Sequence, residues 1–231
     1  NVGLNNPFIN TINQADNGNL IVGTGEGVGV FDGKNFEMYY TDDLLAENYI
    51  SSSFKDKTGN IWFGHQAGGV SIFDGVSFDL VHPGGGINSV INDIDQDEND
   101  LIWFAAKDFG LFNVNEQGKF EFFNNQFEGQ NLHSFMITKD GFFFVGTDAG
   151  VDVYKYYEEE KILSKVQGVN GIPRDQVAGI IEVSTGKIVV STFNSGLYLI
   201  EKKNDVFLTS KIEYSNFADD ILIRDVKVFD D

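Results

Sequence analysis

The chain of 231 residues carries 16 Lys and Arg against 35 Asp and Glu, a net charge of −19; such a surface repels nucleic-acid phosphates and anionic headgroups, which leaves neutral or cationic ligands. Its 42% hydrophobic content, with 22 Phe, provides for a packed core and argues against disorder. The absence of Cys removes disulfides, zinc–thiolate sites and cysteine nucleophiles together, no run of ~20 apolar residues could span a membrane, and the polar start at Asn1 shows no signal-peptide pattern.

The first predicted unit covers 7–42. It holds an apolar stretch (8–16), a turn Asp16-Asn17-Gly18-Asn19, an apolar strand (20–22), a pair Gly27-Val28 opening a third strand, a turn Phe31-Asp32-Gly33 and a more polar strand (35–40). The second, 48–82, repeats this order with Ile61-Trp62-Phe63, Gly69-Val70 and Phe73-Asp74-Gly75, its first apolar stretch ending in Asp56 as the first unit's ends in Asp16 and the fourth's in Asp140. The third (88–124), fourth (132–166) and fifth (175–214) follow suit, with Leu101-Ile102-Trp103-Phe104, Phe142-Phe143-Phe144-Val145 and Ile188-Val189-Val190 as their apolar strands. Continuous apolar runs suit strands buried on both faces, and Asp-Gly is a hairpin signal. A last segment, 219–231, matches the first strand of a further unit.

Gly23, Gly64, Ala105, Gly146 and Ser191 mark the same place in each unit, at steps of 41, 41, 41 and 45 residues. Four antiparallel strands repeating at about 40 residues read as a β-propeller blade. The expected fold is therefore all-β: five complete four-stranded blades plus one extra inner strand, a fragment of a larger ring whose parent chain continues. Phe31, Phe73, Trp62 and Trp103 recur at equivalent positions and are read as blade packing.

Asp56-Lys57-Thr58-Gly59-Asn60-Ile61-Trp62-Phe63-Gly64-His65, with Gly68-Gly69 and Phe73-Asp74 behind it, resembles the two-component regulator propeller repeat. The first unit matches through Gly18 to Leu20 and Gly23-Thr24, and the fourth through Asp140-Gly141 and Gly146-Thr147. The third departs at Asp100 and Ala105-Ala106, and the fifth at Ser191-Thr192. The resemblance implies the periplasmic sensor half of a membrane-spanning, often hybrid, histidine kinase, a seven-bladed parent ring and oligosaccharide sensing. It leaves room for a homodimer formed through the parent protein.

Little in the sequence points to catalysis. His65, His82 and His133 lie near loops of different blades and are read as solvated, and no zinc-protease, nucleophile-elbow or phosphate-loop motif occurs. The acidic run from Asp93 to Asp100 lacks the central Gly of a calcium loop and has Ala106 where Glu belongs; it reads as a turn. Glu158-Glu159-Glu160 reads as a hairpin tip. No cofactor, metal or catalytic residue is expected.

Loops on a rigid scaffold commonly carry binding. Those between second and third strands, and those leading into each blade, are expected on one ring face and differ in every blade. The candidate ligand residues are His65, Gln66, Lys107, Asp108, Asp148, Phe193 and Asn194 from the first set, and Asn48, Tyr49, Asn131, His133 and Arg174 from the second. Rings and amides of this kind suit a neutral sugar. The alternatives are a protein–protein scaffold of an envelope complex and a propeller lyase or hydrolase.

Overall fold

The computed structural model describes residues 3–4, 6–83, 86–115, 117–166, 169–203 and 206–213. The extra inner strand expected over 219–231 lies outside the described residues. The chain divides into two compact units, Asn1–Asn124 and Asn125–Asp231.

The first unit contains three four-stranded antiparallel sheets, each in sequence order. They are β1 (Ile9–Gln14), β2 (Leu20–Thr24), β3 (Gly27–Phe31) and β4 (Phe36–Tyr39); β5 (Ile50–Lys55), β6 (Ile61–His65), β7 (Val70–Phe73) and β8 (Phe78–Val81); and β9 (Ile91–Gln96), β10 (Ile102–Ala106), β11 (Gly110–Val114) and β12 (Phe120–Phe122). The described residues of the second unit form two more: β13 (Leu132–Ile137), β14 (Phe142–Thr147), β15 (Gly150–Tyr157) and β16 (Ile162–Lys165), then β17 (Val177–Ser184), β18 (Lys187–Thr192), β19 (Gly196–Lys203) and β20 (Val206–Lys211). The all-β blade architecture read from the repeat is what the chain adopts. β6, β10 and β14 are buried along their whole length, as their unbroken apolar runs require.

Alternate side chains of each strand face opposite neighbours. Ile21, Val28 and Val30 of the first blade pack on Phe63, Phe73 and Phe78 of the second. Trp62 and Val70 turn the other way, onto Ile91, Phe104 and Phe112 of the third. In the second unit Phe142, Phe144 and Val153 pack on Ile188, Val190 and Tyr198.

The recurring Gly has a steric cause. A Cβ on Gly23, Gly64 or Gly146 would lie 2.7, 2.6 or 2.6 Å from a γ-carbon of Ile50, Ile91 or Val177, the first apolar residue of the next inner strand. Only a bare Cα lets adjacent blades approach this closely.

The recurring Asp and Trp have a polar cause. Asp56 Oδ1 accepts from the Thr58 and Asn60 amides and the Thr58 hydroxyl, while Oδ2 accepts from Trp62 Nε1 at 2.8 Å. Asp97 repeats the arrangement with Asn99, Leu101 and Trp103. The first and fourth blades correct the sequence reading here. Ala15 and Thr138, not Asp16 and Asp140, occupy the place of Asp56, since their amides bond Asn19 O and Phe142 O as the Asp56 amide bonds Asn60 O. Asp16 and Asp140 instead form ion pairs across blade junctions, with Lys55 (2.6 Å) and Lys202.

Third in each of these turns comes a residue at positive φ: Gly18 (87°), Gly59 (94°), Gly141 (76°), and in the third blade Asp100 (62°). Left-handed backbone suits Gly and is tolerated by Asp better than by Ala. Asp100 also accepts an exposed 3.0 Å ion pair from Lys57, a contact of small value. Asp100→Gly is therefore expected to change stability by less than ~0.5 kcal/mol, while Asp100→Ala costs about 1 kcal/mol. Urea midpoints of the two variants check this; equal effects would sink it.

Candidate functional site

In the first, fourth and fifth blades the loop after the second strand is closed by that strand's last residue. Thr24 Oγ1 donates to Gly27 O (2.9 Å) and accepts from the Glu26 amide (3.0 Å). Thr147 and Thr192 do the same for their loops. The Thr of the repeat is thus a loop cap. One residue further on stands a position that differs in every blade: Gly25, Gln66, Lys107, Asp148 and Phe193.

These loops lie beside the segments that lead into the blades. The Gly27 amide donates to Asn48 O (2.6 Å), Lys107 to Val90 O (2.9 Å) and Phe193 to Gln176 O (2.8 Å). The Ala67 amide donates to Glu47 Oε2 at 2.8 Å, and that of Asp108 to Ser89 Oγ at 3.3 Å.

In the second unit three of the candidates converge. Asp148 Oδ2 accepts from Asn131 Nδ2 (2.7 Å), and Oδ1 lies 2.5 Å from His133 Nε2. His133 Nδ1 is 3.3 Å from Gln176 Nε2, so both ring nitrogens are engaged. Asp148 remains 54% exposed at the side chain and His133 only 14%; the carboxylate faces outward on a fixed base. Next to it Asp175 holds the fifth blade's loop, its oxygens accepting from the Asn194 amide (2.8 Å) and Nδ2 (3.0 Å). Burial raises the Asp175 carboxyl, but the hydrogen bonds from Asn194 and Ser195 outweigh it and leave the pKa below the ordinary value. Phe193 and Arg174 are exposed at this edge, Phe193 to 36%.

In the first unit Gln66 is exposed on the second blade's loop, and Lys107 and Asp108 are exposed together on the third blade's. Tyr49 is 40% exposed, and its ring edge would lie 3.6 Å from a Cβ on Gly25. Asn48 spends its side chain locally, Oδ1 accepting from the Thr41 amide at 2.9 Å.

Two of the candidates read as solvated histidines are corrected: His133 lies within β13 with its side chain only 14% exposed, and His65 is buried outright. Read as a solvated loop residue, it ends β6 and is 0% exposed. It stands where other blades place the capping Thr, and its Nε2 lies 2.9 Å from Ser71 Oγ. Burial pushes its pKa down to about 4, against weaker upward pulls from the Glu47 and Tyr49 backbone. A ligand on the loop edge does not reach it.

Asp175 and Gln176 join the site although they are not among the residues expected from the sequence. Gln176 occupies the place of Asn131, one residue before the inner strand. The signal was there, since 131 to 176 is the same 45-residue step that separates Gly146 from Ser191.

No protein-family model and no curated protein matches the chain. Solved structures do. The extracellular domain of the hybrid two-component system BT3049 from B. thetaiotaomicron is 19% identical with a TM-score of 0.71, over 90% of this chain and 31% of that one. The chain thus spans about a third of that domain. Virginiamycin B lyase from Staphylococcus aureus is 12% identical with a TM-score of 0.70, over 90% of this chain and 71% of the enzyme. PorZ, a surface component of the type-IX secretion system of Porphyromonas gingivalis, is 17% identical with a TM-score of 0.65, over 88% of this chain and 33% of PorZ. At these identities the likeness is one of fold, and the chain shares the fold of the part that it covers of the extracellular domain of the hybrid two-component system BT3049.

Proposed function

We propose that the chain is part of the extracytoplasmic, ligand-sensing propeller of a two-component sensor, and that it binds a neutral oligosaccharide at the loop edge of its second unit. The observation that carries this reading is the fixed cluster of Asn131, His133, Asp148 and Gln176 next to exposed Phe193. An outward carboxylate held by two neighbours accepts from sugar hydroxyls without reorganising, Asn194 and Arg174 offer donors, and the Phe193 ring offers a face for C–H stacking. Neutral sugar also suits a protein of net charge −19, which disfavours polyanions. Both His133 nitrogens are engaged, so the ring has no lone pair turned to substrate, and we assign no catalytic step.

The test is a thermal-shift screen of the chain against neutral and charged oligosaccharides. At a hundredfold excess over Kd a ligand adds about 2.7 kcal/mol, a rise in Tm of about 5 °C or more for a protein of this size. The rise is expected for a neutral glycan, lost in Asp148→Ala and Phe193→Ala and kept in Gln66→Ala. No saturable rise for any glycan with the protein folded would overturn the reading and favour the protein-binding scaffold.

A further inference from the structure

The second blade replaces the capping Thr with a buried imidazole, and this substitution ties three pieces of backbone together. Ser71 Oγ of β7 touches His65 Nε2 at 2.9 Å and accepts from the Ala46 amide at 2.9 Å. Ala46 packs against Gly69, where an added Cβ would lie 2.4 Å from the Ala46 Cβ. The segment 46–49 then continues through Glu47, which holds the Ala67 amide, and Asn48, which holds Gly27, to Tyr49 over Gly25. His65 Nδ1 is buried with no hydrogen-bond partner.

The surroundings offer a protonated ring no counter-ion, and the backbone of Glu47 and Tyr49 offsets its burial only weakly. Glu47 and Tyr49 face it from segment 46–49 through their backbone, and the Glu47 carboxylate is turned to the Ala67 amide. Ser71 faces it from β7. β5 meets His65 at Ile50, while Lys55 lies at the far end of that strand, paired with Asp16. A charge on His65 would be an ion buried without a counter-ion, which favours whichever state gives it water.

We propose that His65 is an acid-sensing latch: neutral, it holds segment 46–49 and Tyr49 on the loop edge of the first unit, and protonated, it releases them. The latch is independent of glycan binding in the second unit. The sign follows from the two states. The closed ring has its pKa pushed down to about 4, whereas the opened ring regains the ordinary value near 6.5. The closed form therefore has its full stability above pH ~6.5 and loses it progressively as pH falls toward ~4.

The test is hydrogen exchange of the chain at pH 7 and pH 4.5, read as protection factors at 46–49 and 66–69. Opening of this segment is expected to rise on the order of 50-fold in the wild type, from the two pKa values. The rise should vanish in His65→Thr, which restores the residue of the first, fourth and fifth blades, and in His65→Gln, should the Thr variant fold poorly. An unchanged segment in the wild type, an equal rise in the variants, or a loss spread evenly over all strands would overturn the proposal. So would an NMR titration that places the His65 pKa at or above 6.5.

Discussion

Gly64→Ala is expected to cost about 3 kcal/mol, at the upper end for a single added methyl group. The new Cβ would sit 2.4 Å from Ser52 Oγ, 2.6 Å from Ile91 Cγ2 and 2.7 Å from Ile91 Cβ. No rotamer change escapes this, because Ile91 is 0% exposed in the core between the second and third blades and its Cβ is fixed by its own strand. The blades must separate instead, and separation loosens every contact along the junction. Ser52→Ala in the same chain should restore only part of the loss. It removes the nearest atom but leaves both Ile91 carbons, and it gives up the 2.8 Å hydrogen bond from Ser52 to Ile91 O. Gly25→Ala is the control, since its Cβ meets nothing closer than 3.6 Å, and a change within ~0.5 kcal/mol is expected there. Urea denaturation of the three variants checks the order. A Gly64→Ala protein as stable as Gly25→Ala would mean that the close approach of blades does not explain the repeat glycine.

What could be read in the sequence was what the backbone demands of a residue type. A bare Cα between blades, a left-handed turn and an Asp-Gly hairpin each admit few residues, so Gly23, Gly64, Gly146, Gly59 and Asp32-Gly33 announced themselves by spacing. The misplacement of Asp16 shows the limit. An acidic residue before a turn Gly looked like the partner of Asp56, yet counting three back from Gly18, as from Gly59 to Asp56, leads to Ala15. His65 was illegible for a different reason. Its burial depends on Ser71 of the adjacent strand β7 and on Ala46 in another loop, and no local pattern carries that. The polar cluster was half legible. Periodicity placed Asn131, His133 and Asp148 at one edge, but that the amide of Gln176 reaches the ring from the next blade is a matter of side-chain packing.

Asp56→Ala is expected to cost about 3 kcal/mol although it removes no apolar surface. Asp56 is 8% exposed and accepts four hydrogen bonds, so truncation strands two turn amides and a buried indole N–H at once. Losing hydrogen bonds to a charged acceptor costs about 1.5–3 kcal/mol, and stranded buried donors add to it. Asp56→Asn should be milder but not neutral. Its amide can keep one oxygen on the Thr58 and Asn60 amides, yet then presents an NH₂ group to Trp62 Nε1, donor against donor. Trp62→Phe removes that conflict. In a double-mutant cycle Asp56→Ala should therefore cost less when Trp62 is already Phe, with a coupling of about 1–2 kcal/mol. The same cycle at Asp97 and Trp103 should give a similar coupling, because the indole again donates at 2.8 Å from the same place in its blade. Additive effects in both cycles would mean that Trp is retained for its ring alone, and that the Asp serves only the turn.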